Sequence, residues 1–171
     1  MHPYVEPYGF QSQRFLEGFV MNHGGVYLLN LASSLYLVGL IWTIQSVHYK
    51  LLDRVGAESF VRYETDHNRL ITPIVGPVML VELVTSVLLV FGYSPPWMPR
   101  AVAIAGLVAV GLIWASTLFL QVPCHNRLLS GFDLDTYRRL VNTNWIRTLL
   151  WSARGAVLLY VLWHATPQLD P

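Results

Sequence analysis

The stretch Ala101–Val122, AVAIAGLVAVGLIWASTLFLQV, runs for 22 residues without a charge. About 20 apolar residues make a helix long enough to cross the hydrocarbon of a bilayer. Backbone groups find no water there, so such a stretch must be helical. Three more stretches read the same way. Gly25–Val47 has no charge, Leu70–Tyr93 holds one acid, Glu82, and Ile146–Ala165 carries Arg147 near its start and Arg154 further in. The expected fold is an all-α membrane protein, a four-transmembrane-helix bundle over residues 25–165, flanked by segments 1–24 and 166–171. Pro73 and Pro77 fall in the first two turns of the second stretch. Pro73 is expected near a helix start, and Pro77 at a kink.

Composition agrees with this reading. The 171-residue chain is 54% hydrophobic and 12% charged, whereas soluble domains carry about 25% charged residues. A net charge of +1 leaves no footprint for nucleic acid. The lone Cys124 excludes an internal disulfide and a cysteine-rich zinc site. Residues 1–24 lack the basic start and apolar core of a secretory signal and are expected to be retained.

Basic residues set the expected orientation. Lys50, Arg54, Arg62 and Arg69 lie between the first two stretches, and Arg127, Arg138, Arg139 and Arg147 between the last two. The opposite side offers Arg14 and Arg100. Short loops rich in Lys and Arg stay cytoplasmic. The chain is therefore expected in the cell inner membrane, if the source is bacterial, with both termini extracytoplasmic. Ser94–Arg100, SPPWMPR, reads as a tight outer turn. Trp97, Tyr93 and Trp163 suit the outer interface, and Trp145 and Tyr49 the inner one.

The two halves resemble each other. With His48 over His125, Lys50 meets Arg127, Leu51-Leu52 meets Leu128-Leu129, Glu58-Ser59-Phe60 meets Asp135-Thr136-Tyr137, and His67 meets Asn144. Each half is a span, a polar amphipathic segment and a second span, so an internal duplication with its axis along the membrane normal is expected. A GLIW tetrapeptide occurs at Gly39–Trp42 and at Gly111–Trp114, five residues out of step with the histidine register. The polar segments show apolar residues at helical spacing through Phe60, Tyr63, His67 and Ile71, and through Tyr137, Leu140 and Asn144. They are expected to be amphipathic cytoplasmic helices that can continue into the spans.

The candidate chemistry gathers at the inner ends. Gln45 and His48 share one helical face, as do Gln121 and His125. Glu64 and His67 have the Glu-x-x-His spacing by which di-metal bundles draw two ligands from one helix. His48, Glu64, His67, Glu82 and His125 would make a mixed nitrogen and oxygen site for iron, manganese, zinc or copper. Two histidines on neighbouring helices could alternatively ligate a haem. Gln45, Gln121, Asn144 and Arg147 would orient a substrate. Glu82 and Arg154 have a simpler reading as a structural ion pair, since a buried charge needs a partner. His2, His23 and His164 read as outer, solvated residues, and Cys124 as inert. No phosphate loop, serine elbow or nucleotide fingerprint is present.

The pattern WTIQ-x-VHY, GAE-x-F-x-x-Y, H-x-x-x-IT-x-x-x-GP-x-M-x-x-E, Q-x-P-x-H and TNWIRT, from about Val38 to Val161, resembles a family of uncharacterised bacterial four-span membrane proteins. The two-fold layout distantly resembles the anthrone-oxygenase-like (DUF1772) membrane proteins, a resemblance that implies oxidative chemistry on a hydrophobic substrate. Two functions are expected from this material. One is metal-dependent redox chemistry on a lipophilic small molecule at the cytoplasmic end of the bundle. The other is a non-catalytic accessory or scaffold subunit, in a homo-oligomer or a larger membrane complex.

Overall fold

The computed structural model describes residues 22–165, and within them the chain is helical with no strand. Four long helices follow one another: α1 His23–Leu52, α2 Ala57–Val90, α3 Arg100–Leu128 and α4 Leu134–Ala165. By length and composition α1, α2 and α3 can each cross a membrane. Helix α4 is as long, at 32 residues, but Arg138, Arg139, Arg147 and Arg154 dilute its apolar character. Helix α1 packs on α2 and α4, and α3 packs on the same two. The four therefore form a ring rather than a row.

Residues 1–21 and 166–171 lie outside the described part. The expected extracytoplasmic segments, and with them His2 and Arg14, fall there except for residues 22–24, where Asn22 caps α1 and His23 opens it.

The expected amphipathic segments are helical, and each runs unbroken into the apolar stretch that follows. Helix α2 opens with Ala57–Arg69, whose Glu58, Arg62, Glu64, Asp66 and Arg69 are too many charges for hydrocarbon. One consequence corrects an expectation. Pro73 is not near a helix start; both it and Pro77 lie inside α2. Each lacks the N–H that would bond the fourth residue back, which frees the carbonyls of Arg69 and Pro73. Helix α4 starts on an acid: Asp133 Oδ2 accepts from the Thr136 amide at 3.1 Å, which satisfies one of the donors left bare at a helix start.

Two further features break regular helix. A π turn occupies Ile44–His48 in α1, and another occupies Thr117–Gln121 in α3. Such turns insert extra backbone and often occur at functional sites. The turns after α2 and α3 need left-handed glycines. Gly92 has φ +124° and Gly131 has φ +132°, values that residues with a Cβ rarely adopt. Tyr93 N–H bonds the Leu88 carbonyl at 3.0 Å across Gly92, closing α2 with a Schellman turn.

The core is layered along the bundle. One layer holds Tyr27, Leu31, Leu89, Ala103 and Leu158. The middle layer holds Leu37, Ile41, Met79, Ile113 and Trp151. The layer at the basic end holds Tyr49, Leu52, Phe60, Cys124, Leu128 and Leu140. Tyr49 is 1% exposed, so it belongs to this core and not to an interfacial belt as expected from sequence. Trp97 packs edge-on against Tyr27 at 4.8 Å, tying the turn at the other end to α1. Between apolar helices in lipid, close packing and hydrogen bonds matter more than hydrophobic burial. Gly155 shows this: a Cβ there would come within 3.2 Å of the Val38 side chain, so its absence lets α4 approach α1. The outer surface is apolar as well, with Phe119 72% exposed and Trp163 75% exposed, which suits lipid better than water.

Candidate functional site

Two polar clusters lie inside the ring, and they differ in kind. The first lies in the apolar half of the bundle. Glu82 Oε1 meets Arg154 Nε at 3.1 Å and accepts from Ser34 Oγ at 2.7 Å. Its Oε2 accepts from Trp151 Nε1 at 2.9 Å. Arg154 Nη2 donates to Asn30 Oδ1 at 2.6 Å and to Ser86 Oγ at 2.8 Å. The guanidinium has space because α3 presents Gly106, where a Cβ would lie 2.4 Å from Nη1. The expected ion pair is therefore present, joined by Asn30, Ser34, Ser86 and Trp151, which the sequence reading did not name. Their signal was available: hydroxyls and an amide recurring one turn apart in an otherwise apolar span.

The second cluster lies at the basic end, near the π turns. Glu64, fully buried on α2, accepts from His125 Nδ1 of α3 at 2.6 Å. His125 Nε2 lies 3.3 Å from the Tyr49 hydroxyl of α1. A carboxyl, an imidazole and a phenol from three helices thus stand in one line. A carboxylate on Nδ1 fixes the tautomer and leaves Nε2 free to accept a proton. The Tyr49 hydroxyl in turn lies beside the Arg147 guanidinium of α4.

Arg147 is 7% exposed. Its Nε donates to Asn144 Oδ1 at 2.9 Å, and its Nη1 reaches Thr117 Oγ1 at 3.4 Å. Asn144 is held by Gln45, whose Oε1 accepts from its Nδ2 at 2.6 Å, and Gln45 donates to the Val141 carbonyl at 3.3 Å. Every one of these partners is neutral. Among the described residues no carboxylate lies within ion-pair distance of Arg147.

A cavity of ≈ 380 Å³ opens beside these groups. Its deeper wall is apolar, formed by Leu37, Ile41, Val75, Met79 and Trp151. Its other end is polar, with Tyr49, His67, Gln121, His125 and Arg147. Among the described residues its exposed lining is Thr72 of α2 and Val122 and Asn126 of α3, so the mouth lies between these two helices. The cavity wall also carries Trp114, whose Nε1 is buried with no hydrogen-bond partner among the described residues.

The expected metal set is not assembled as one site. Glu82 is committed to Arg154 and lies fifteen residues beyond His67 on α2, about 22 Å of helix rise. His48, His67, His125 and Glu64 are neighbours, but the imidazoles stack. His48 and His67 have ring centroids 4.2 Å apart at 20°, and His67 and His125 lie 5.4 Å apart at 31°. Stacked rings present faces to one another, so their nitrogens do not aim at a common point. No group of three or more His, Cys, Asp or Glu side chains among the described residues is arranged to hold a metal ion. His67 also fills the gap between His48 and His125, where a haem ligated from both sides would have to lie.

His48 Nδ1 lies 3.4 Å from the Tyr63 hydroxyl. Its Nε2, like Glu64 Oε2, is buried without a partner among the described residues. Burial first, then the neighbouring imidazoles, push His67 down to about 4. Burial likewise lowers His48, against the pull of Glu64. Both of these rings are neutral near pH 7, so their stack carries no charge repulsion.

The remaining candidates sort by contact. Gln121 lines the cavity, donating to Thr143 Oγ1 at 3.1 Å and accepting from Ser116 at 3.0 Å. Gln45 and Asn144 do not line it; they hold Arg147 from behind. Cys124 is buried in the apolar layer with Leu128. His23 bonds the Ser94 carbonyl at 3.1 Å, and His164 bonds the Tyr160 carbonyl at 2.9 Å, both on exposed surface. Sequence reading missed Tyr49, Thr117 and Trp114 as cavity residues. No family model, curated protein or solved structure matches the chain.

Proposed function

We propose that the chain is a four-span protein of the cell inner membrane that binds a lipophilic small molecule bearing an oxygen function and moves a proton at that oxygen. One observation carries this reading. The cavity is apolar over most of its wall and ends against the Tyr49–His125–Glu64 line and a buried guanidinium. An apolar pocket with a few convergent polar groups is the general form of a small-molecule site.

The proton transfer follows from the contacts. As the substrate O–H breaks, its proton goes to the Tyr49 oxygen, and the Tyr49 proton goes to His125 Nε2. Glu64 on Nδ1 then faces an imidazolium and stabilises it. The reverse sequence delivers a proton. The mouth between α2 and α3 lies just beyond Arg69, at the depth where the charged start of α2 gives way to its apolar stretch. A lipophile dissolved in the bilayer would enter there sideways.

The same reading makes α4 the fourth span. Its two buried arginines face the ring interior, where Glu82, Asn30 and Asn144 meet them, so the lipid-facing side of α4 stays apolar. The positive-inside rule supports a cytoplasmic location for the basic end and extracytoplasmic termini. The ring order supports the internal duplication, because a two-fold axis along its centre exchanges α1 with α3 and α2 with α4. Each half also carries one π turn, though the two turns are four residues out of step with the histidine register.

Extraction of the detergent-purified protein with organic solvent, followed by mass spectrometry, tests the reading. A stoichiometric lipophile with an oxygen function is expected, and Met79→Trp, which fills the cavity, should lose it. Protein that carries no small molecule and instead copurifies with a fixed partner chain would overturn the reading in favour of an accessory subunit.

A further inference from the structure

The cavity's unmet polar groups are all of one sign. Arg147 is a buried guanidinium whose partners Asn144, Thr117 and Tyr49 bring no negative charge. A buried charge without a counter-charge is strongly destabilising, more so than either the pair or neither. Trp114 Nε1 can only donate, and it is buried with no acceptor among the described residues. It lies one turn from Thr117 on α3, the residue that Arg147 touches. Unpartnered buried donors are rare in native structures, and each calls for an explanation. The orphaned acceptor Glu64 Oε2 does not line the cavity.

We infer that the ligand of this cavity is a lipophilic carboxylic acid bound as its anion, with Arg147 supplying the counter-charge and Trp114 Nε1 donating a second hydrogen bond. The inference rests on the proposed function and names its substrate class. A carboxylic acid crosses lipid most readily in its neutral form, because a bare carboxylate near hydrocarbon is costly. On entry through the α2–α3 mouth its O–H bond breaks and the proton passes to Tyr49, while the Tyr49 proton passes to His125. The resulting carboxylate is held by Arg147, and the proton by the imidazole beside Glu64. Release reverses both steps. The chain lies against Leu37, Val75, Met79 and Trp151, which offer no polar side-chain atom in search of a partner. An amine or a quaternary ammonium is excluded by the same charge sign that favours the carboxylate.

Thermal unfolding in detergent with dodecanoate and with methyl dodecanoate tests this. The two probes share the chain and differ in charge. Dodecanoate should raise the unfolding midpoint and the ester should not. Arg147→Met should keep its fold, since it removes an uncompensated charge, and should lose the dodecanoate shift. Trp114→Phe keeps the ring and loses the donor, and should weaken dodecanoate binding by about tenfold, as expected for a hydrogen bond to a charged group. Equal stabilisation by acid and ester, abolished in both cases by Met79→Trp, would overturn the anion while leaving the cavity's function intact. A dodecanoate shift that persists in Arg147→Met would overturn the assignment of the counter-charge. No shift with either probe would overturn the substrate class.

Discussion

Helix α4 buries two arginines two turns apart, and they live in opposite circumstances. Arg154 meets Glu82 directly; Ser34 and Trp151 donate to the two carboxylate oxygens, and Asn30 and Ser86 accept from Nη2. Arg147 has only neutral partners and one side open to a cavity. The same residue type on the same helix is closed in one place and open in the other. A closed polar network specifies how helices pack, whereas an open one has a vacancy for charge that something else must fill. Trp151 sits between the two, bonding Glu82 through its indole nitrogen while its ring forms part of the cavity wall.

The largest expected effect comes from opening the closed site. Glu82→Ala leaves Arg154, Ser34 and Trp151 without their acceptor and should cost about 3–5 kcal/mol, the range for breaking a buried pair from one side. Denaturant unfolding of the detergent-solubilised protein measures it. If Glu82→Ala proves no more harmful than Arg147→Met, the contrast between the two sites is gone. Next is Gly106→Ala, whose new Cβ would lie 2.4 Å from Arg154 Nη1. The guanidinium must shift out of its network, for about 1–3 kcal/mol as in other overpacked sites. Adding the same methyl at Gly111, which has nothing within 4 Å, should gain up to about 1 kcal/mol from helix propensity alone, so the pair of variants separates crowding from helix propensity.

The smallest effect concerns pH at the open site. His67 is held down to about 4 from 6.5, and His48 is lowered as well. Groups held neutral in the folded chain let the unfolded chain bind protons first as the pH falls. Their contribution is therefore complete above pH 6.5 and is lost as the pH drops toward the folded value. The unfolding midpoint should be a few degrees lower at acid pH than at neutral pH. His67→Phe keeps a stacked ring without a titrating nitrogen and should flatten that dependence. A slope unchanged in His67→Phe would assign it to other groups.

The long helices were legible because extended charge-free runs have few alternatives to helix where water does not reach the backbone. Their ends were less so. Phe60 and Leu140 pack into a layer of their own at the basic end, and this carries α2 and α4 well past the apolar limits. That extension is also why Pro73 proved to be interior. The Glu82–Arg154 pair was legible because two opposite charges in apolar surroundings need each other. The relay was not. Glu64 and His67 share a helix and the spacing of a ligand pair, yet Glu64 turns to His125 of the neighbouring α3 while His67 stacks. Which imidazole a carboxylate meets depends on helix order and rotation, and neither is written in local spacing. Trp114 was hidden for a related reason: an indole in an apolar run becomes notable only when the surrounding helices leave its nitrogen alone.

The π turns bear on that rotation. An α-helix advances about 100° of azimuth per residue, so one extra residue in a wide turn resets the angular phase of everything after it. In α1 the reset falls at Ile44–His48, immediately ahead of Tyr49. Rewinding that turn as regular α-helix with every residue kept would swing the Tyr49 phenol by about a quarter of a circle. The sequence would be unchanged, yet the phenol would no longer point at His125.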